Sequence, residues 1–133
     1  MSVNVVWFRR DLRLSDNPAV YSATLDGRPI IPLFILDEHT HNAGAAFKWR
    51  LGLSIESLSL DLEKQKSKLI LRKGNPLYVL KKLRSSIGDF NIFWNRLYDE
   101  NSVKRDTEIK SYFKAQGVEV KSTEGLLLHS PWK

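Results

Sequence analysis

Val3-Asn4-Val5-Val6-Trp7-Phe8, then Arg9-Arg10-Asp11-Leu12-Arg13-Leu14-Ser15-Asp16, then Asn17-Pro18-Ala19, is the stretch that decides the fold. The first segment is β-branched and aromatic, which predicts a strand. The second is a polar turn. In the third, Asn17 reads as an N-cap and Pro18 as a residue of the first helical turn, and the helix closes at Gly27. Outward from this unit the same alternation recurs. Ile30 to Leu36 reads as a second strand, apolar on both faces. A long helix is expected from Ala45 to about Lys66, with Leu51, Ile55, Leu58 and Leu62 in one stripe widened by Leu60. Lys68 to Arg72 reads as a third strand. Gly74-Asn75-Pro76 repeats the cap-and-proline device and opens a helix striped by Leu77, Leu80, Leu83 and Ile87, closing at Gly88. Asn91 to Trp94, a helix from about Ser102 carrying Val103, Ile109, Tyr112 and Phe113, and Val118 to Val120 complete the series. The alternation of five strand-length runs with helical stretches predicts an α/β fold, a parallel sheet with right-handed crossovers and helices on both faces. Ligands of such sheets sit beyond the carboxyl ends of the strands. That singles out the loops Arg9 to Asn17, Asp37 to Gly44 and Asn95 to Ser102.

The 133 residues suit one domain, with 42% hydrophobic and 27% charged residues. There is no cysteine, which excludes disulfides, thiolate metal sites and a cysteine nucleophile. No apolar run is long enough for a membrane-spanning helix, and Met1-Ser2-Val3-Asn4 lacks the basic flank of a signal peptide, so a cytoplasmic location and no membrane partner are expected. The net charge of +6 permits a weak attraction to phosphate or nucleic acid. Lys64, Lys66, Lys68, Arg72, Lys73, Lys81, Lys82 and Arg84 are dense in one region, but a solvated face is the favoured explanation and only weak, nonspecific DNA binding is expected.

Several chemistries are excluded by pattern. The first loop has no glycine before Gly27, which argues against a dinucleotide fingerprint, and no phosphate-binding loop ending in Gly-Lys-Ser/Thr occurs. No Gly-x-Ser-x-Gly elbow is present. His39 and His41 lack a third histidine or a helical spacing, so solvated loop residues are favoured over a metal site. Asp37-Glu38 and Asp99-Glu100 are paired carboxylates, for which capping or pairing with Arg9, Arg10 and Arg13 is favoured over acid–base work.

Trp7 to Ala19 resembles the opening signature of the photolyase and cryptochrome family. Ile31-Pro32-Leu33-Phe34-Ile35-Leu36-Asp37, Lys48-Trp49-Arg50-Leu51, Leu69 to Pro76, Trp94-Asn95-Arg96 with Tyr98-Asp99 and Arg105-Asp106, and Leu126 to Trp132 continue the resemblance in order. It implies that residues 1–133 are one antenna domain of the photolyase type, a Rossmann-like, doubly wound, five-stranded parallel sheet of order 3-2-1-4-5. Such a domain holds a light-harvesting chromophore (a deazaflavin, methenyltetrahydrofolate or a flavin) and passes excitation to FAD in a separate helical domain. The implied parent activity is that of a deoxyribodipyrimidine photo-lyase, a carbon–carbon lyase. The FAD pocket and most of the surface for damaged DNA belong to the helical domain, in cis or in trans, and the sequence is read as stopping where that domain would start. Alone, the chain is expected to be non-catalytic.

The candidate chromophore site follows. Phe8, Trp94 and Tyr98 are candidate walls, against the reading that Phe8 and Trp94 are core. Asp37, Lys48, Asn95 and Asn101 are candidate hydrogen-bonding groups. Lys48 falls where deazaflavin-binding members carry arginine, and Asp37 matches an acid on their second-strand loop, whereas Leu97 replaces a further acid. Asn101-Ser102 keeps the asparagine and loses the acid of the Asn-Glu pair of folate-binding members. Arg9 and Arg10, with Glu38 on the second loop, complete the set, and for the arginines a structural and interdomain role is favoured. The tips of the first, second and fourth strands are expected to converge on one groove. A stand-alone nucleotide-binding protein of the same fold, and an interaction module using Leu126 to Leu128 and Trp132, are the competing readings.

Overall fold

A computed structural model describes residues 3–9, 11–14, 17–37 and 44–123. The strands β1 (Val3–Phe8), β2 (Ile30–Leu36), β3 (Ile70–Lys73), β4 (Phe90–Asn95) and β5 (Val120–Thr123) alternate with the helices α1 (Pro18–Thr24), α2 (Ala45–Lys64), α3 (Pro76–Ile87) and α4 (Glu100–Ala115). All pairings are parallel, as the alternation predicts, and the order is β3-β2-β1-β4-β5, as the family resemblance implies. Side chains alternate along β1. Val5 and Trp7 pack with Leu80 and Leu83 of α3 and Ile109 and Phe113 of α4. Val6 and Phe8 pack on the other face with Ala19 and Ala23 of α1 and Leu58 and Leu62 of α2. Two helices therefore cover each face, and the central strands are buried on both.

Both asparagine–proline devices form. The side chains of Asn17 and Asn75 accept from the N–H groups of Val20 and Tyr78, with proline at the start of each helix. Element ends move where a hydrogen bond is taken elsewhere. The expected fifth strand from Val118 starts instead at Val120, because the Val118 N–H donates to the Phe113 carbonyl at the end of α4. The last helix starts at Glu100 rather than Ser102, because Asp99 caps it by accepting from the Ser102 N–H and hydroxyl. The third strand is Ile70–Lys73, since the ladder with β2 begins at Ile70. Leu60, expected to widen the α2 stripe, is exposed: it lies about 200° around the helix from Leu58. Ile87 and Val103, read as stripe residues, are also exposed. Leu126 to Leu128 and Trp132 lie outside the described residues.

Gly88 ends α3 at φ 86°, ψ −159°, a region that only glycine enters freely. Nothing lies within 4 Å of a Cβ built there, so Gly88→Ala tests backbone strain alone. The expected loss is about 1–3 kcal/mol in urea unfolding.

Candidate functional site

Beyond the carboxyl ends of the strands lies a cleft of about 580 Å³. Trp7, Arg9 and Leu12 reach it from β1 and its loop, Phe34, Ile35 and Asp37 from β2, and Phe47, Arg50, Leu51 and Ser54 from α2. Leu97, Asp99, Asn101, Ser102 and Arg105 close it from the β4–α4 turn and α4. The parallel order brings these segments together at one end, because every strand points the same way and the strand order reverses beside β1, with β2 on one side of it and β4 on the other.

Trp7 anchors the cleft floor. Its ring is nearly buried and meets Trp94 edge-on at 5.4 Å and 83°. Two guanidiniums lie against it, that of Arg9 4.7 Å and that of Arg105 5.3 Å from the ring centroid. Arg9 is held from below. Its Nη1 donates to Asp106 Oδ1 at 2.7 Å and its Nη2 donates to the Asn95 carbonyl, while its Nε is buried without a hydrogen-bond partner. Burial lowers the Arg9 pKa from its ordinary value and the Asp106 carboxylate opposes that shift. Arg105 donates to Asp37 Oδ2 at 2.9 Å and from its Nε to Asp106 Oδ1 at 3.5 Å. Asp37, Arg105, Asp106 and Arg9 thus alternate in sign along one chain of ion pairs joining the ends of β1 and β2 to α4.

Of the residues selected from sequence, Arg9, Asp37, Asn101 and Ser102 line the cleft. Phe8 does not: strand alternation sends it into the core on the α1–α2 face, and Trp7, its neighbour, takes the wall position. Trp94 is core as well, meeting the site through the Trp7 ring and the Arg9 guanidinium, which lies 5.5 Å from the Trp94 ring centroid. Lys48 is exposed on α2 and Tyr98 is exposed on the β4–α4 turn, both outside the cleft lining. Arg10 and Glu38 lie outside the described residues, as do His39 and His41. Among the described residues no group of three or more His, Cys, Asp or Glu could hold a metal.

Asn95 is a tie within the protein. Its Nδ2 donates to Asn17 Oδ1 at 2.7 Å and to the Asp11 carboxylate. Its Oδ1 accepts from the Ala19 N–H at 3.0 Å and from the Thr123 hydroxyl. Its carboxamide is thereby spent on holding the first loop, α1 and β5 to the tip of β4.

Four further lining residues, Trp7, Phe47, Leu51 and Arg105, are not among the site candidates the sequence offers. Arg105 sits three residues beyond Ser102, on the same face of α4; that spacing was the signal available for it.

A doubly wound parallel sheet of order β3-β2-β1-β4-β5 with an aromatic-floored cleft at its strand ends defines a Rossmann-like α/β domain. More particularly, the chain belongs to the DNA photolyase family, whose model matches residues 4–133. Cryptochrome-1 of Arabidopsis thaliana is 37% identical over 98% of this chain and 20% of its own length. A bacterial class III photolyase of Agrobacterium tumefaciens superposes with a TM-score of 0.86 at 36% identity, over 93% of this chain and 26% of that one. An archaeal photolyase of Sulfolobus tokodaii, solved with two FAD molecules and described as implicating a novel light-harvesting cofactor, superposes with a TM-score of 0.79 at 28% identity, over 91% of this chain and 29% of that one. The chain therefore spans a fifth to under a third of the length of these proteins. Among the described residues no helix is long and apolar enough to cross a membrane.

Proposed function

We propose that this chain is the light-harvesting domain of a photolyase or cryptochrome, and that the strand-end cleft holds the antenna chromophore. The observation that carries the reading is the cleft itself. Its volume of about 580 Å³ falls within the range of small-molecule sites. Trp7, Phe47, Leu51 and Leu97 supply apolar walls, Asp37 and Arg105 supply polar groups fixed by their ion pair, and Asn101 adds an exposed carboxamide at the rim. Arg50, exposed on α2 at the cleft, is a cation suited to an anionic tail such as a ribityl phosphate or a glutamyl carboxylate. A bound chromophore would supply absorption in the near-ultraviolet or blue. The residues of this chain bind and orient it and exclude water from its ring. Excitation would then pass to FAD in a helical domain, joined in cis or supplied in trans, and damaged DNA would be engaged through that domain.

Titrating the chain with methenyltetrahydrofolate, a deazaflavin and FMN, with ATP as the comparison, tests this reading. One of the three ring systems is expected to bind with a shifted absorption band, and Leu97→Glu is expected to weaken it at least about tenfold while leaving the circular dichroism unchanged. Binding of ATP in preference to all three, or binding of none, would sink the proposal. The chain alone is expected to show no light-dependent cleavage of pyrimidine dimers, assayed on dimer-containing oligonucleotides.

A further inference from the structure

The α3–α4 face of the sheet carries a second cluster, at the β5 margin. Ser122 lies on the same face of β5 as Val120, which packs into the core beneath α3 and α4. Its hydroxyl is approached by Arg96 Nε at 3.2 Å and by Lys110 Nζ at 3.4 Å. Lys114 stands one turn beyond Lys110 on α4, close enough that both it and Arg96 act on the Lys110 ammonium. No carboxylate of the described residues forms an ion pair with any of the three.

The rest of α4 is arranged differently. Lys104 pairs with Glu100 at 3.9 Å, and Arg105 with Asp37 at 2.9 Å. Like charges one turn apart on a helix repel. The α4 C-terminus favours a cation such as Lys114, but that does not account for two further cations turned on one hydroxyl from separate elements. Lys110 bears the consequence: partial burial, then Lys114 and Arg96, lower its pKa from the ordinary lysine value. Its charged form is thus disfavoured in the folded chain, and a bound anion would relieve that.

We propose that Arg96, Lys110, Lys114 and the Ser122 hydroxyl form a phosphate-binding site. A phosphate carries between one and two negative charges at neutral pH and several acceptor oxygens. It can take hydrogen bonds from a guanidinium, an ammonium and a hydroxyl together. The phosphate belongs either to a free phosphate or phosphomonoester, or to a nucleic-acid backbone. The site is separate from the strand-end cleft and does not rest on the chromophore reading.

The test uses the 133-residue chain with inorganic phosphate, and separately with a short DNA duplex, each at constant ionic strength. Phosphate is expected to raise the melting temperature above a chloride control and to move the amide resonances of Arg96, Lys110 and Ser122. Arg96→Gln with Lys110→Gln is expected to weaken phosphate binding at least about fivefold. Ser122→Asp, which places a carboxylate between the cations, is expected to raise the melting temperature without phosphate and to abolish the response to it. Should the duplex bind more tightly than phosphate, with a salt slope that falls by about one for each cation removed, the source is a nucleic-acid backbone. Should phosphate bind and the duplex not, the source is a small phosphate. No response to either probe, or an undiminished response in the double variant, overturns the site.

Discussion

Asp106→Ala is expected to lower the unfolding free energy by about 3–5 kcal/mol, the range for stranding one member of a buried ion pair. Asp106 and Arg9 are both nearly buried, and their side chains meet at 2.7 Å. Without Asp106 the Arg9 guanidinium keeps one carbonyl partner, while the positive charge of Arg105, which already disfavours its ionised form, is no longer balanced. Total stabilities of small domains are about 5–15 kcal/mol, so much of the fold is at stake. Urea unfolding measures the loss. Asp106→Leu combined with Arg9→Met should recover most of it, since a buried pair replaced by apolar groups of similar size is often neutral. A loss below about 1 kcal/mol for the single variant would show that the Asp37–Arg105–Asp106–Arg9 chain contributes little.

Asn95→Leu is expected to cost about 3 kcal/mol or more. Leucine has a similar volume, so the effect isolates the carboxamide. Four groups lose a hydrogen bond: the Ala19 N–H is left unmatched, while the Thr123 hydroxyl, Asn17 Oδ1 and Asp11 Oδ2 keep only longer bonds to the Trp94 carbonyl, the Val20 N–H and the Asn17 amide. A buried polar group left unmatched costs about 1–3 kcal/mol, and the four share one site, so their costs do not simply add. Asn17 also caps α1 and holds the first loop by donating to the Asp11 and Arg13 carbonyls. The loop carrying Arg9 and Leu12 into the cleft should therefore loosen too. Faster hydrogen exchange at Ala19, with weaker chromophore binding, is the expected signature. Unchanged exchange there would show that the loop is positioned without Asn95.

The parallel sheet is legible because strand-length apolar runs alternate with amphipathic stretches, and because Asn17-Pro18 and Asn75-Pro76 mark helix starts by local chemistry; the strand order comes from the family resemblance, since alternation alone does not fix it. The cleft was legible only in outline. Its loops follow from the topology, but a strand buried on both faces does not announce which face borders a cavity; hence Phe8 was selected where Trp7 stands. Asn95 read as a ligand group because its partners are distant in sequence: Ala19 is 76 residues away and Asp11 84. Arg105 was passed over for the same reason, its partner Asp37 lying 68 residues off. The start of β5 is not legible because Val118, a good strand former, spends its N–H on the preceding helix.

The two outermost strands, β3 and β5, are four residues long, and each carries basic residues: Arg72 and Lys73 on one, Lys121 on the other, all exposed. A short margin studded with positive charge is a poor template for recruiting another chain's backbone, since a second copy would bring the same charges against it. Molecules of this domain should therefore resist growing into ribbons through their open sides.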